Sequence, residues 1–228
     1  MRVLFFLLII TVLSACSKHI DYSQEYMDQT SGRYLYNDDE VIDVYYKNKK
    51  LYLKWKGAKQ IEPVILDENT FFVADMFSKL RFVEQPETKQ RYLSVVSDEN
   101  ENSISYDYLK VADSFKTPTM LLKRKEYDKA LLGYLEIQKK DSTSVFINEG
   151  DFNKKGYSLL REKKYNEAIQ IFKINVALHP ESDNVYDSLA EAYLKSGDSL
   201  QAFNNYKKAL ELNSGNKRAK DYVNSYKE

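Results

Sequence analysis

The feature of this sequence that most constrains its fold is a pattern of large and small residues that recurs after 34 positions. In the unit that begins at Asp183, Ala190 and Ala202 stand among larger side chains. Small residues at such positions let two helix axes approach to about 8–10 Å, and the larger side chains fill the remaining space. Between these two alanines, Gly197 is typical of the end of one helix and Asp198 of the N-cap of the next. The unit is therefore predicted to be a pair of antiparallel helices.

The same register fits the preceding residues. A unit that begins at Glu149 has Phe152, Gly156 and Phe172 at the corresponding positions, with Asn175 where a small residue is usual. A weaker match farther back predicts a helix over 127–137, preceded by a short one near 117–123. Residues 217–226 are expected to form a lone helix that covers the end of the stack, because a repeat cannot bury its apolar side alone.

These positions resemble the tetratricopeptide repeat (TPR). The resemblance implies a stack of helical hairpins whose first helices line a concave, partner-binding groove. Some members of the family clamp a partner's terminal carboxylate there with Lys and Asn, whereas Asp187 and Glu191 of this chain would repel one. The candidate groove residues are Asn153, Tyr157, Leu160, Arg161, Asn184, Asp187, Glu191, Leu194 and Lys195.

Residues 32–112 have a different pattern, with short runs rich in Val, Ile, Phe and Tyr between turn-like clusters. Several runs alternate, such as Leu51, Leu53 and Trp55 against polar neighbours, which predicts strands with one apolar face. The expected fold class is therefore α+β. An antiparallel meander of seven or eight strands, a curled sheet or small half-open barrel, is followed by a helical domain over 113–228. Two of the predicted strands are 60–66 and 103–109.

The N-terminus indicates export and lipid attachment. Arg2 precedes eleven uncharged residues, Val3 to Leu13, which are too few to cross a bilayer. Leu13-Ser14-Ala15-Cys16 resembles the lipobox of bacterial lipoprotein signal peptides, and Cys16 is the chain's only cysteine. The resemblance implies that residues 1–15 are removed and that Cys16 is acylated, which anchors the protein to a membrane of the cell envelope, at the outer membrane or the periplasmic face. Residues 16–31 are predicted to be a polar tether.

The order of a small β-domain and helical repeats also resembles the non-catalytic C-terminal region of serine hydrolases related to β-lactamases and penicillin-binding proteins. The more specific part of this resemblance is helical, including Asn153-x-x-Gly156-Tyr157 and Val185-Tyr186-Asp187. Tyr46-Lys47-Asn48 matches a Tyr-x-Asn motif of that family's catalytic domain, but it falls at a predicted hairpin turn and is interpreted as chance.

We predict no catalytic residues, cofactor or metal site. His19 and His179 are far apart and lack ligand partners at metal spacing. A formal net charge of zero argues against a dedicated nucleic-acid partner. The leading hypothesis is an interaction scaffold for another envelope protein or peptide, and one alternative is an accessory to a serine hydrolase acting in trans. The other alternative is an apolar or carbohydrate ligand in the β-domain, bound by Tyr52, Trp55, Phe71, Phe72 and Phe82.

Overall fold

A computed structural model describes residues 20–226 of the chain. The leader peptide, Cys16 and His19 therefore lie outside the described residues. The chain divides into two compact units between Asp113 and Ser114, where the sequence-based division lay between 112 and 113. We refer to them as the β unit and the helical unit.

The β unit contains helix α1, Gln24–Thr30, and nine strands that form one antiparallel sheet. The strands are β1 Gly32–Asn37, β2 Glu40–Lys47, β3 Lys50–Trp55, β4 Ala58–Ile61, β5 Val64–Ile65, β6 Thr70–Val73, β7 Ser78–Glu84, β8 Arg91–Val95 and β9 Tyr108–Val111.

The order of the strands shows why the sheet must curl. It runs β4-β3-β2-β1-β9-β8-β7-β6-β5, so two meanders meet where β1 pairs with β9. Strands β4 and β5 stand at opposite edges, yet only Glu62 and Pro63 separate them in the chain. Three residues from Ile61 to Val64 span at most about 11 Å, so the two edges must lie close together. The predicted α+β fold with a curled, half-open sheet is confirmed.

Two strand predictions differ from the structure. The run predicted over 60–66 is split into β4 and β5 because Pro63 has no N–H to donate to a sheet ladder. The last strand is Tyr108–Val111 rather than 103–109, and Ile104 and Tyr106 are exposed. Alternation alone predicted the earlier position, but pairing with β1 and β8 selects the residues that follow.

The second half of the predicted tether is not a tether. Residues 24–30 form α1, capped by Ser23, whose side-chain oxygen accepts a hydrogen bond from the Tyr26 N–H. Tyr22 is buried and stacks on Tyr26 with ring centroids 5.3 Å apart. Thr30 is also buried, and its hydroxyl bonds to that of Tyr46 at 2.7 Å. A segment without a clear polar–apolar period is thus ordered by aromatic contacts to the sheet.

The helical unit consists of three hairpins and a final helix, as the repeat pattern predicted. The helices are α2 Pro118–Lys123, α3 Tyr127–Lys140, α4 Glu149–Arg161, α5 Tyr165–Leu178, α6 Asp183–Ser196, α7 Ser199–Leu212 and α8 Lys217–Ser225. Short α2 begins with Thr117 as N-cap and Pro118 in its first turn. The residues at the close-contact positions, Ala168, Ala190, Ala202 and Ala209, are fully buried.

The turn inside each hairpin has a residue in the left-handed conformation, two positions before the second helix begins. Lys125, Lys163 and Gly197 have φ of 63°, 59° and 91°, and each follows the first helix of its hairpin. Only Gly adopts this conformation without a steric cost from Cβ. Two of the three hairpins therefore carry a lysine where glycine is the easier residue.

We expect Lys163→Gly to stabilise the helical unit by up to about 1 kcal/mol, because it relieves the left-handed strain. Lys154→Gly is the matched control: Lys154 is exposed inside α4, where the same change should cost about 1 kcal/mol. Urea unfolding monitored by far-UV circular dichroism measures both. Shifts of the same sign in the two variants would contradict this account of the turn.

Candidate partner-binding groove

The first helices of the second and third hairpins, α4 and α6, are joined side by side through polar contacts. The Tyr157 hydroxyl on α4 lies 3.2 Å from Glu191 Oε2 and 3.3 Å from Ser188 Oγ, both on α6. At the start of the same helices, Asn184 Nδ2 donates to Glu149 Oε1 at 2.8 Å. Tyr157 and Glu191 are 34 residues apart and so occupy equivalent positions in consecutive repeats, which are brought together along one face.

Helix α8 packs beside α6 in the same way that α6 packs beside α4, so it takes the place of the first helix of a further repeat. The Arg218 guanidinium forms ion pairs with Asp187 and Glu191, and its Nε donates to Asp187 Oδ1 at 3.2 Å. Asn216, the N-cap of α8, donates a further hydrogen bond to Asp187 Oδ1 at 3.2 Å. The network Tyr157–Glu191–Arg218–Asp187 therefore spans α4, α6 and α8. We call the face formed by these three helices the groove.

An open cleft of about 750 Å³ lies at the C-terminal end of the groove, between α6, α7 and α8. Leu194 is 39% exposed at its edge, and the rings of Tyr206 and Tyr222 are tilted together with centroids 4.9 Å apart. Its lining combines an apolar floor with charged side chains: Glu191, Leu194, Lys195, Tyr206, Lys217, Arg218, Asp221, Tyr222 and Ser225.

The electrostatics of the groove differ from those expected from Asp187 and Glu191 alone. Both carboxylates are paired with Arg218, and Lys195 Nζ lies 3.5 Å from Glu191 Oε1. Burial raises the pKa of Tyr206, and the negative charge of Glu191 adds to that rise. The two acids are thus balanced by cations within the fold, so they do not present an uncompensated acidic surface.

The predicted groove residues divide into accessible and inaccessible ones. Leu160 is buried in the core with Ala168 and Phe172, so its prediction as a partner-binding residue is wrong. Asp187 is also buried, and its carboxylate forms an ion pair with Arg218. The other predicted positions are at least partly accessible: Asn153, Tyr157, Arg161, Asn184, Glu191, Leu194 and Lys195. Of these, Asn153 accepts a hydrogen bond from buried Asn175 at 3.1 Å.

Sequence reasoning missed Arg218, Asn216 and Tyr222, because the last helix was interpreted only as a cover for the stack. A signal was present: Arg218 stands 34 residues after Asn184, at the same repeat position. Applying the repeat register to the terminal helix would have placed it in the groove.

The five aromatic residues proposed for a β-unit ligand do not line one cavity. Trp55, Phe71 and Phe82 belong to the interior core of the sheet. Tyr52 stacks on Tyr45, and Phe72 contacts Phe77, on the opposite face of their strands. Because successive side chains of a strand point to opposite faces, these five cannot converge on a single ligand.

Within residues 20–226, the nucleophilic, acid–base and metal-ligating side chains do not come together as a recognisable catalytic site. In this range no cluster of three or more His, Cys, Asp and Glu side chains could hold a metal ion. His179 Nε2 donates to the Ile147 carbonyl at 2.8 Å, a structural contact. Ser214 and Lys217 have the Ser-x-x-Lys spacing of serine hydrolases, but Ser214 precedes the N-cap of α8 and lies outside the helix. Over the same range, the helices are too short or too polar to cross a bilayer.

The hairpins, their shared turn and the groove define the helical unit as a stack of TPR-type repeats. No family model matches the chain. Heat shock protein STI1 of Saccharomyces cerevisiae is 33% identical over 100 residues, which cover 42% of this chain and 16% of the yeast protein.

Two solved structures overlap the chain only in part. The first TPR of Spaghetti (RPAP3), bound to the HSP90 peptide SRMEEVD, is 21% identical, with a TM-score of 0.33 over 47% of this chain and 82% of that one. The TPR domain of Arabidopsis OM64 is 20% identical, with a TM-score of 0.33 over 47% and 85%. The fold assignment follows from the helix pairs themselves.

Proposed function

We propose that this chain is a lipid-anchored scaffold of the bacterial cell envelope that holds another envelope protein or peptide in its groove. The observation that carries the proposal is the cleft between α6 and α8. It lies at the open end of the row of first helices and presents exposed Leu194 beside charged side chains. An apolar surface with a polar rim is the usual arrangement of a protein-binding site.

The groove is also suited to a scaffold because it is held in shape before a partner arrives. Tyr157, Glu191, Arg218 and Asp187 connect three helices through charge-assisted hydrogen bonds. A rigid binding face loses less conformational entropy on association than a mobile one. The proposed role therefore uses shape and charge, without a catalytic step.

The envelope location is supported by the sequence around Cys16. Two or three acyl chains on this cysteine would hold the protein stably on a membrane, because each CH₂ buried in the bilayer contributes about 0.8 kcal/mol to the binding free energy. The resemblance to a non-catalytic region of serine hydrolases makes such a hydrolase, acting in trans, one partner to seek among crosslinked proteins.

The test of the scaffold is crosslinking in intact cells with a groove variant. Leu194→Glu combined with Lys195→Glu places two negative charges at the cleft, and we expect the crosslinked partners of the wild type to be lost. Leu200→Glu is the control, because Leu200 is exposed on α7 and does not line the cleft. An unchanged set of partners in the double variant would contradict binding at the cleft.

The anchor is tested in the same cells. Cys16→Ser should abolish incorporation of labelled fatty acid and move the protein from the membrane fraction to the soluble fraction. Retention of the label by this variant would show that Cys16 is not the lipid-bearing residue. Because the groove is unchanged, partner capture by the released protein separates failure of the anchor from failure of the scaffold.

A further inference from the structure

The exposed apolar side chains of the β unit are confined to one half of its sheet. In the described part of this unit, the large apolar residues that are exposed all lie between the start of β5 and the start of β9. Within the same range of residues, strands β1 to β4 contain none of them. The exposed residues are Val64, Leu66, Phe77, Ile104 and Tyr106.

The apolar residues nearest the β5 edge form a continuous surface. Val64 on β5 and Phe72 on β6 are direct cross-strand partners, and the Phe77 ring is edge-on to that of Phe72 with centroids 6.1 Å apart. Because Ile65 and Phe71 pack into the interior core, the residues that alternate with them point outward. We call this outer surface the apolar strip, and it consists of Val64, Leu66, Phe72 and Phe77.

Phe77 is placed in a way that folding of the β unit alone does not favour. Its side chain is 89% exposed, and its backbone is left-handed with φ of 48°. Glycine adopts this conformation without a steric cost from Cβ, and a polar residue would leave no aromatic ring in water. Exposed apolar surfaces of this kind are typical of sites that contact another molecule or a membrane.

One end of the apolar strip lies beside the point where the chain enters the β unit. Tyr22 is buried there, and the Tyr26 hydroxyl donates to the Glu68 carbonyl at 2.7 Å, two residues from Leu66. The six residue steps from Cys16 to Tyr22 span at most about 21 Å, whatever their conformation. An acylated Cys16 would therefore keep this end of the strip close to the bilayer.

The charges around the strip indicate which kind of membrane surface it fits. Asp67 and Glu68 are exposed at one end, and exposed Asp75 lies at the other. Lys79, the cross-strand partner of Phe72, is already paired with two carboxylates. Anionic headgroups are attracted by clusters of lysine and arginine, which these positions do not provide. An apolar contact with zwitterionic lipid is therefore the better fit.

We propose that the apolar strip lies on the membrane surface, with Val64 and Phe77 inserted among zwitterionic headgroups. This contact rests on the proposed anchor at Cys16, because the short connection to Tyr22 is what brings the strip to the bilayer. Apolar side chains buried at the boundary between headgroups and acyl chains add to the binding free energy of a lipid anchor. The strip would thus be a second point of attachment and would give the β unit one preferred orientation on the bilayer.

Quenching of tryptophan fluorescence by brominated lipid tests the contact. The mature chain, residues 16–228, is coupled through the Cys16 thiol to a maleimide-bearing lipid in phosphatidylcholine vesicles, so the test does not depend on acylation in cells. Trp55→Phe removes the only tryptophan, and Phe77→Trp introduces one in the strip. With bromine on the acyl chains we expect its fluorescence to fall roughly two-fold or more, because the ring should lie about 5–10 Å deep.

Tyr45→Trp, made in the same Trp55→Phe background, is the matched control. Tyr45 stacks on Tyr52 at the outer face of β2, among the strands without exposed large apolar residues, and it has the same tether. We expect little quenching of this variant. Val64→Glu added to Phe77→Trp should reduce the quenching, since a charge in the strip opposes insertion. Replacing part of the phosphatidylcholine with phosphatidylglycerol should not increase it.

Several outcomes would overturn the proposal. They are equal quenching of Phe77→Trp and Tyr45→Trp, no effect of Val64→Glu, and stronger quenching in the presence of phosphatidylglycerol. Blue-shifted emission of Phe77→Trp without quenching would mean that protein, such as a second copy of the chain, covers the strip instead of lipid. A failure of fatty-acid labelling at Cys16 in cells counts against the anchor alone, because the chemically coupled protein still reports on the strip.

Discussion

Replacing Gly156 with leucine is expected to destabilise the helical unit by about 3 kcal/mol or more. A Cβ added at Gly156 would lie 2.4 Å from Cζ and 2.5 Å from Cε1 of Phe172. Phe172 is fully buried, so its ring has no free space into which to move. The helix propensity gained by removing a glycine, about 1 kcal/mol, is too small to offset this overlap.

The measurement is urea unfolding monitored at 222 nm, with the fluorescence of Trp55, the chain's only tryptophan, monitoring the β unit. Ala190→Gly is the control at the same repeat position and should cost only about 1 kcal/mol. In a Phe172→Ala background the leucine should be better tolerated, with a coupling of at least about 1 kcal/mol. A Gly156→Leu protein as stable as the wild type would show that the α4–α5 contact is looser than described.

Replacing Arg218 with alanine should destabilise the helical unit by about 2–3 kcal/mol, a large effect for a half-exposed residue of the last helix. Asp187 is buried, and removing its partner leaves a carboxylate without its counter-charge. A buried ion that loses its partner costs more than the pair itself contributes. Because Arg218 is 48% exposed, we place the effect below that of a fully buried pair.

Two further variants distinguish this explanation from a general loss at the C-terminus. Asp187→Asn in the Arg218→Ala background should restore about half of the lost stability or more, because the uncompensated charge is gone. Arg161→Ala should change stability by less than about 0.5 kcal/mol, since Arg161 is an exposed residue at the end of α4. If Asp187→Asn gives no rescue, the carboxylate is not the origin of the effect.

Local patterns predicted the elements of this fold where each residue depends mainly on its neighbours in the chain. The register of small residues identified α4 to α7, because every repeat must bury the same face in the same way. Strand β3 was also evident from Leu51, Leu53 and Trp55, since alternation follows directly from the pleat. Contacts between distant residues decided the rest. They include the pairing of β1 with β9 and the packing of Tyr22 on Tyr46 and of Tyr26 on Phe82, which holds α1 on the sheet.

The candidate sites show the same division. Glu191, Leu194 and Lys195 line the cleft, and they were named beforehand because the TPR resemblance places their repeat positions on the concave face. Arg218 was missed, and Leu160 was wrongly included, because burial of a groove position depends on which helix follows it. A small cavity in the β unit is lined by residues of α1, β1, the β5–β6 turn, β7 and β8, which no local pattern connects.

The sequence by itself determined the α+β class and the helical hairpins, because each depends on short-range spacing. The lipid anchor at Cys16 stays a prediction from a compact motif, since that residue lies outside the described range. Only the tertiary structure decided that Asp187 and Glu191 are paired with cations of the same unit, Arg218 and Lys195. The physical reason is that the effect of a charge depends on the groups within a few ångströms of it. In a folded chain those groups come from distant positions in the sequence.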